Sequence, residues 1–214
     1  MPGTGIKLLI VDDEPATRTL LVQIFAQMGH TVRSAEDGFA ALEQIRLMLP
    51  DVVLSDLHMP GMSGFELLSV VRRRFSEIYV IATSGAYSGE TVPHGIAADA
   101  FYEKATNFRS LLELMETATK ATDLPRRGLS ESVPIWMTHT LAEATGEAGF
   151  MISCPECLRT FAEVFVPSRL LIHQAECPYC QTAIHYAIVE PLDPATSQPY
   201  HAKLARAILP SEAA

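Results

Sequence analysis

Short, nearly continuous apolar runs that alternate with amphipathic segments constrain the fold of this chain most strongly. Three runs are clear and two strand signals are weaker: 6–11, 51–55 and 78–83, then 31–35 and 99–103. Runs of this kind are typical of buried parallel strands. The segments between them repeat apolar residues at helical spacing. The alternation therefore predicts an α/β fold, a doubly wound five-stranded parallel sheet with helices on both faces.

Acidic residues stand directly after two of the predicted strands. Asp12 and Asp13 follow the first run and Asp56 follows the third. The carboxyl ends of neighbouring strands in such a sheet meet in one crevice, which would gather these carboxylates. Because clustered carboxylates repel one another without a cation, the pattern predicts a Mg²⁺ site. Thr83 and Lys104 would add a hydroxyl and an ammonium, which together favour phosphoryl transfer.

These segments resemble the receiver domain of two-component response regulators, which has a flavodoxin-like fold. The matching segments are LLIVDDE at 8–14, DVVLSDLHMPGMSGFELL at 51–68, IATSG at 81–85 and AFYEKA at 100–105. They cover residues 6 to about 120, and we predict a receiver domain over 1–122. The resemblance implies that Asp56 is the phosphoacceptor.

The resemblance also implies a magnesium site and a switch. Asp13 would bind Mg²⁺ directly and Asp12 partly through water, beside Asp56 and the backbone carbonyl of His58. The residues expected to respond to the phosphoryl group are a hydroxyl, a lysine and an aromatic switch position: Thr83, Lys104 and Phe101.

Two segments depart from the family pattern. Ala105 stands where proline usually follows the lysine, which leaves open whether the Lys104–Ala105 bond is cis. Pro93 and Gly95 fall inside the predicted fourth helix, which we expect to be short or irregular.

Four cysteines form a second motif. Cys154 and Cys157 make one C-x-x-C pair, Cys177 and Cys180 make another, and 19 residues separate the pairs. This spacing predicts four thiolate ligands around tetrahedral Zn²⁺. Strand-like stretches at 161–166, 169–173 and 184–188 make the unit resemble a zinc ribbon, which we place at 151–192.

Other interpretations of the cysteines remain open. A rubredoxin-like iron site uses similar pairs, although Leu158 and Gln181 stand where glycine commonly follows there. Two redox-active C-x-x-C centres are a further alternative. His173 and His185 are predicted to be surface or packing residues, because four cysteines already complete the ligand shell.

The remaining segments carry weaker signals. Residues 123–150 are predicted to be a linker with a short helix around 137–145. Residues 193–214 are predicted to be a tail with a short helix at 201–209.

Charge and hydropathy exclude several functions. The net charge of −9 and pI of about 5.2 argue against broad binding to nucleic acid or anionic membranes. No apolar run approaches the roughly 20 residues that span a bilayer, and no signal peptide is evident, so we predict a cytoplasmic protein.

The combined interpretation is a response regulator of a phosphorelay. A sensor histidine kinase or phosphotransfer protein would phosphorylate Asp56, and the cysteine module would act on an unidentified output protein. The alternatives are a transcriptional regulator whose ribbon binds DNA and a redox or metal sensor. We predict no enzymatic activity beyond self-phosphorylation and self-dephosphorylation, because the chain has no phosphate loop or HExxH helix.

Overall fold

The computed structural model describes residues 5–87, 96–104, 106–121, 134–138, 149–164 and 173–189. The N-terminal unit is built on a parallel sheet with the strand order β2-β1-β3-β4-β5. Its strands are β1 (Lys7–Val11), β2 (Thr31–Ala35), β3 (Val52–Asp56), β4 (Tyr79–Ser84) and β5 (Ala100–Glu103). The predicted doubly wound, five-stranded flavodoxin-like sheet is confirmed.

Four described helices cover this sheet: α1 (Pro15–Gln27), α2 (Gly38–Leu47), α3 (Gly64–Arg74) and α4 (Phe108–Ala121). Side-chain caps begin two of them. The Asp37 carboxylate accepts from the Ala40 N–H, and the Ser63 hydroxyl accepts from the Glu66 N–H. Such caps satisfy backbone donors that the first helical turn leaves unpaired.

The alternation within β1 separates the apolar side chains onto two faces of the sheet. Leu8 and Ile10 pack into the cluster that includes residues of α1 and α4. Leu9 and Val11 pack into the cluster that includes residues of α2 and α3. A strand buried on both faces reads as a continuous apolar run, which is why the sequence signal of β1 is strong.

The C-terminal unit contains two small sheets. Its strands are β6 (Ile135–Thr138), β7 (Gly149–Ser153), β8 (Thr160–Val164), β9 (His173–Glu176) and β10 (Ala183–Val189). Strands β7 and β8 form an antiparallel pair, and the other sheet has the order β6-β10-β9. In that sheet β10 runs antiparallel to β9 and parallel to β6. The zinc-ribbon-like architecture itself stays a prediction.

Strand β6 corrects the prediction for the linker. Residues 137 and 138, expected to begin a short helix, are extended and pair with β10. The segment Ile135–Thr138 combines β-branched and aromatic residues, which favour a pleated surface, and a distant partner strand stabilises it. Residues 139–148, 193–214, Pro93, Gly95 and Ala105 lie outside the described residues, as do the predictions made for them.

The two units are packed together. One apolar cluster joins residues of the parallel sheet and α3 with residues of the C-terminal strands, among them Ile135, Ile152, Phe161 and Ile184. Helix α3 lies at the junction, and every residue from Gly64 to Arg72 is buried.

Candidate functional site

The strand ends bring the predicted acidic residues into one crevice. Asp56 ends β3 and lies opposite Thr83 of β4 in the parallel register. Asp12 and Asp13 follow β1, the neighbour of β3 on its other side. Carboxylate oxygens of Asp12, Asp13 and Asp56 lie within 4.8 Å of one another.

Lys104 connects two of these carboxylates. Its ammonium donates to Asp56 Oδ2 at 2.5 Å and lies 2.9 Å from Asp12 Oδ2. Burial acts to lower the pKa of Lys104, but its contacts with Asp56 and Asp12 outweigh burial and raise it. The side chain is therefore a permanent cation at neutral pH, and it offsets the repulsion between the two buried carboxylates.

His58 borders the crevice from the loop after β3. Its backbone N–H donates to Asp56 Oδ1 at 3.2 Å. Its ring lies 5.1 Å from the Tyr87 ring and 5.8 Å from the Phe65 ring, measured between centroids. Burial lowers the pKa of His58, and the opposing effect of Asp56 does not reverse the shift. The ring is therefore mostly neutral and acts as part of an aromatic wall.

The sequence alone did not identify this wall. Tyr87 is 2% exposed and Phe65 is 3% exposed, and their edge-to-face contact has a centroid distance of 6.0 Å. The available signal was the position of Tyr87, four residues after Thr83, on a segment that leaves the crevice.

Gly64 places α3 directly against the backbone of Asp56. A Cβ at this position would lie 1.9 Å from the Asp56 carbonyl oxygen and 2.8 Å from the Leu57 Cα. The Gly64 N–H donates to the Leu57 carbonyl at 3.1 Å. The start of α3 is therefore rigidly connected to the residue predicted to be phosphorylated.

The other predicted switch residues lie on the neighbouring strands. Thr83 is 5% exposed at the end of β4. Phe101 is half-buried on β5 and packs against the apolar cluster on the α2 and α3 side of the sheet. Its role as an aromatic switch stays a prediction.

The crevice suits a hard divalent cation. Its donors are carboxylate oxygens, two of them on the buried side chains of Asp12 and Asp56. Oxygen donors of this kind match the preference of Mg²⁺, which is held by few protein ligands and keeps several waters. Exposed Asp13 completes the set on the solvent side.

The four cysteines form a separate cluster in the C-terminal unit. Their sulfur atoms lie within 4.8 Å of one another, and none of them is in a disulfide. The Sγ–Sγ distance is 3.6 Å between Cys154 and Cys180 and 3.7 Å between Cys157 and Cys177. Tetrahedral zinc with Zn–S bonds of about 2.3 Å requires sulfur separations of about 3.8 Å. The four thiols therefore fit a single tetrahedral metal ion.

The two C-x-x-C pairs have the same local geometry. The Leu158 N–H donates to the Cys154 carbonyl, and the Gln181 N–H donates to the Cys177 carbonyl, each at 2.8 Å. Leu158 has φ of 55° and Gln181 has φ of 62°. These left-handed residues turn the chain sharply after each pair, so the glycine that is common in iron sites is not needed.

The thiols have different electrostatic environments. Burial raises the pKa of Cys154 to about 12. Hydrogen bonding with Thr182, whose hydroxyl lies 3.3 Å from the Cys180 sulfur, lowers the pKa of Cys180 to about 6. A bound cation would favour the thiolate form at both positions. The described four-thiol group includes neither His173, which stacks on Tyr186, nor exposed His185.

Glu66 is a buried carboxyl outside both clusters, and the sequence did not single it out. It is 4% exposed in α3, and burial raises its pKa to about 8 although hydrogen bonds with Ser153 oppose the shift. The signal available in the sequence was a glutamate inside the mostly apolar segment Gly64–Val71.

The profile of the response regulator receiver domain matches residues 8–116 of this chain. The nitrogen assimilation regulatory protein NtrX of Azorhizobium caulinodans is 33% identical over 138 residues, which are 63% of this chain and 30% of NtrX. The transcriptional regulatory protein TcrA of Mycobacterium tuberculosis is 27% identical over 58% of this chain and 49% of TcrA. This chain thus spans half or less of these relatives.

Solved structures give the same result for the fold. A CheY-like receiver domain protein from Methanospirillum hungatei matches with a TM-score of 0.51 and 27% identity, over 56% of this chain and 98% of that protein. NtrX from Brucella abortus also matches with a TM-score of 0.51, at 28% identity over 56% of this chain and 28% of that protein. Within the residues that the structure describes, no helix has the length and hydropathy to cross a membrane.

Proposed function

Because this chain belongs to the response regulator receiver domain family, we propose that it is a two-component response regulator in which Asp56 accepts a phosphoryl group. The donor is the phosphohistidine of a sensor kinase or of a phosphotransfer protein. The observation that carries the proposal is the position of Asp56, which is buried between the Lys104 ammonium and the Asp12 and Asp13 carboxylates.

The residues of the crevice account for the transfer. The Asp56 carboxylate forms a P–O bond as the P–N bond to the donor imidazole breaks, and the imidazole leaves with the bonding electron pair. Lys104 balances negative charge at Asp56, whose Oδ1 accepts from the His58 N–H. Mg²⁺, held by Asp12, Asp13, Asp56 and the His58 carbonyl, would supply further charge neutralisation. Positioning and charge are the main requirements of phosphoryl transfer.

Phosphorylation would then change the neighbouring strands. The phosphoryl oxygens would attract the Thr83 hydroxyl and the Lys104 ammonium, and Phe101 would turn inward as Thr83 moves. The change is a shift between two states of the surface formed by β4 and β5.

The test is phosphorylation of the Asp56→Asn variant by acetyl phosphate and by a histidine kinase. We expect labelling to fall to background, whereas Glu113→Gln, at an exposed position of α4, should be labelled at the wild-type rate. Wild-type labelling of Asp56→Asn would refute the assignment.

We also propose that the four cysteines bind one zinc ion as a structural centre. The sulfur separations of 3.6 and 3.7 Å support it. Native mass spectrometry should find one zinc ion per chain, lost in a Cys154→Ser/Cys177→Ser double variant. Bound iron, with the visible absorption of an iron–thiolate site, would instead favour the rubredoxin-like alternative.

The output proposed for the C-terminal unit is binding to another protein. Residues 151–214 carry four basic and six acidic side chains, which disfavours a nucleic-acid surface. A binding assay with duplex and single-stranded DNA at low salt should show no tight interaction. Tight, salt-dependent binding would favour the DNA-binding alternative, and rapid loss of the metal to a mild oxidant would favour the redox or metal sensor.

A further inference from the structure

Helix α3 is buried on the side that faces away from the parallel sheet. Every residue from Gly64 to Arg72 is buried, whereas α1 has Phe25 as its single buried residue. A helix buried all round needs a second layer above it. The C-terminal unit supplies that layer, and β6 is the strand in closest association with α3.

Two polar side chains of α3 bind the backbone of two separate strands. Glu66 Oε1 accepts from the Ser153 N–H of β7 at 3.1 Å, and Ser69 Oγ accepts from the Trp136 N–H of β6 at 3.2 Å. Residues at i and i+3 share one helical face, so Glu66 and Ser69 form a pair of acceptors. We call this pair the α3 acceptors.

The α3 acceptors satisfy donors that the C-terminal sheets leave open. Strand β6 is an edge of its three-stranded sheet, and an edge strand presents unpaired backbone N–H groups. Ser153 is 0% exposed, so its N–H has no access to solvent. A buried donor without a partner is costly, so the contact favours one docking position.

The same contact lies beside both chemical centres. Ser153 immediately precedes Cys154, which is itself 0% exposed. The Ser153 hydroxyl also donates weakly to Met62 Sδ at 3.8 Å. Met62 belongs to the loop at 57–63, which connects Asp56 to α3, and Gly64 then abuts the Asp56 carbonyl. One continuous set of packed groups therefore connects the cysteine cluster with the crevice.

We propose that α3 is the docking surface for this chain's own four-cysteine unit, and that metal binding to the cysteines is coupled to phosphorylation of Asp56 through this surface. The inference rests on the proposed metal site and phosphoacceptor. Metal holds residues 153 and 154 in the docked position, and the docked unit holds loop 57–63 and the start of α3 in place. Linkage requires the coupling to act in both directions.

The test compares hydrogen exchange and phosphorylation of the full-length protein with and without metal. Metal content is measured first. With Mg²⁺ kept at a saturating concentration, we expect a zinc-selective chelator to increase amide exchange at 57–74 at least tenfold and to slow labelling of Asp56 by acetyl phosphate at least threefold. Exchange in α1, which lies on the opposite face of the sheet, should change little.

A double variant separates docking from metal binding. Glu66→Ala with Ser69→Ala should raise exchange at 57–74 and slow labelling while the metal stays bound, because only the α3 acceptors are lost. The single variant Glu66→Gln keeps an acceptor for the Ser153 N–H. Its amide exchange at 57–74 should therefore be as slow as in the wild type. Glu113→Ala, at an exposed position of α4, serves as the control.

The outcomes distinguish the proposals. Purified protein without metal would overturn the metal site and the coupling together. Metal-bound protein in which chelation leaves exchange at 57–74 and the labelling rate unchanged would overturn the coupling alone. Failure of Asp56 to be labelled in any form would overturn the phosphoacceptor and the coupled phosphorylation.

Discussion

At the scale of single residues, Lys104 is the cation that contacts two of the clustered carboxylates in the crevice. Its ammonium contacts Asp56 and Asp12, two of the three carboxylates that could hold a divalent cation. We therefore expect the Lys104 ammonium and Mg²⁺ to compete for these carboxylates. Lys104 offsets the repulsion between these carboxylates, and we expect a bound divalent cation to release its ammonium for contact with a phosphoryl group.

This competition predicts that removing the lysine side chain increases the affinity for Mg²⁺ and decreases the rate of Asp56 phosphorylation. In Lys104→Met we expect Mg²⁺ to bind roughly threefold to tenfold more tightly, because the positive charge beside its ligands is lost. Phosphorylation of Asp56 should nevertheless slow by about tenfold or more, because the phosphoryl charge loses its partner. Calorimetric titration and labelling kinetics measure the two effects. Lys120→Met, at an exposed position of α4, is the control, and weaker Mg²⁺ binding would contradict the prediction.

Glu66 predicts a pH dependence of stability. Its pKa is about 8 in the folded protein because of burial, against an ordinary value of about 4.5 when unfolded, so folding binds the proton more tightly. The contribution of this proton to the free energy of unfolding is complete below pH 4.5. It falls by on the order of 4 kcal/mol as the pH rises towards 8.

The comparison with Glu66→Gln isolates this contribution. Denaturant unfolding at pH 5, 6.5 and 8 should show wild type losing stability relative to the variant as pH rises. The cysteine thiols titrate in both proteins, so their effect cancels in the difference. Parallel stability curves for the two proteins would contradict the prediction.

At the scale of elements, the close contact between α3 and β3 determines the geometry of the crevice. The helix begins at Gly64, where any side chain would meet the Asp56 carbonyl rather than a flexible group. The glycine is therefore required for the approach of two backbones. It fixes the direction in which the segment after Asp56 leaves the sheet.

Gly64→Ala is expected to destabilise the protein by roughly 2–4 kcal/mol, because backbone atoms must shift to admit the methyl group. Gly85→Ala provides a matched control, since a Cβ there meets nothing within 4 Å. Thermal or denaturant unfolding of the two variants measures the difference. Equal stabilities would show that α3 can move away from Asp56 at little cost.

At the scale of the whole molecule, the C-terminal unit is part of the core. Buried residues such as Ile135, Ile152 and Ile184 belong to the same apolar cluster as residues of the parallel sheet and α3. Burial of this kind stabilises both units at roughly 25 cal/mol per Å² of apolar surface. Unfolding of one unit should therefore lower the stability of the other.

Metal removal tests this dependence. A strong chelator should lower the free energy of unfolding by several kcal/mol, because we expect metal bound to the four cysteines to stabilise the small C-terminal sheets. Thermal unfolding followed by circular dichroism should shift to lower temperature, and readdition of zinc should reverse the shift. The Cys154→Ser/Cys177→Ser variant should show no response to the chelator. A chelator-independent transition in the wild type would contradict the prediction.

The sequence by itself determined the parallel sheet and the residues of the crevice. Strands β1, β3 and β4 are largely apolar. Parallel topology brings their ends to one edge, so Asp12, Asp56 and Thr83 could be placed together. The spacing of the four cysteines likewise predicted one cluster, because a C-x-x-C turn is local. These features depend on residues that are neighbours in sequence or on a general rule of topology.

The tertiary structure alone decided the pairing of β6 with β10 and the docking of both units through α3. The contacts of Ser69 with Trp136 and of Glu66 with Ser153 join residues 67 and 87 positions apart. Ser69 lies outside the receiver segments, and Glu66 has no role predicted from the segment that contains it. A four-residue strand such as Ile135–Thr138 is too short for its own pattern to specify a partner. Such contacts are selected by shape and by the need to satisfy buried donors, which only the assembled fold defines.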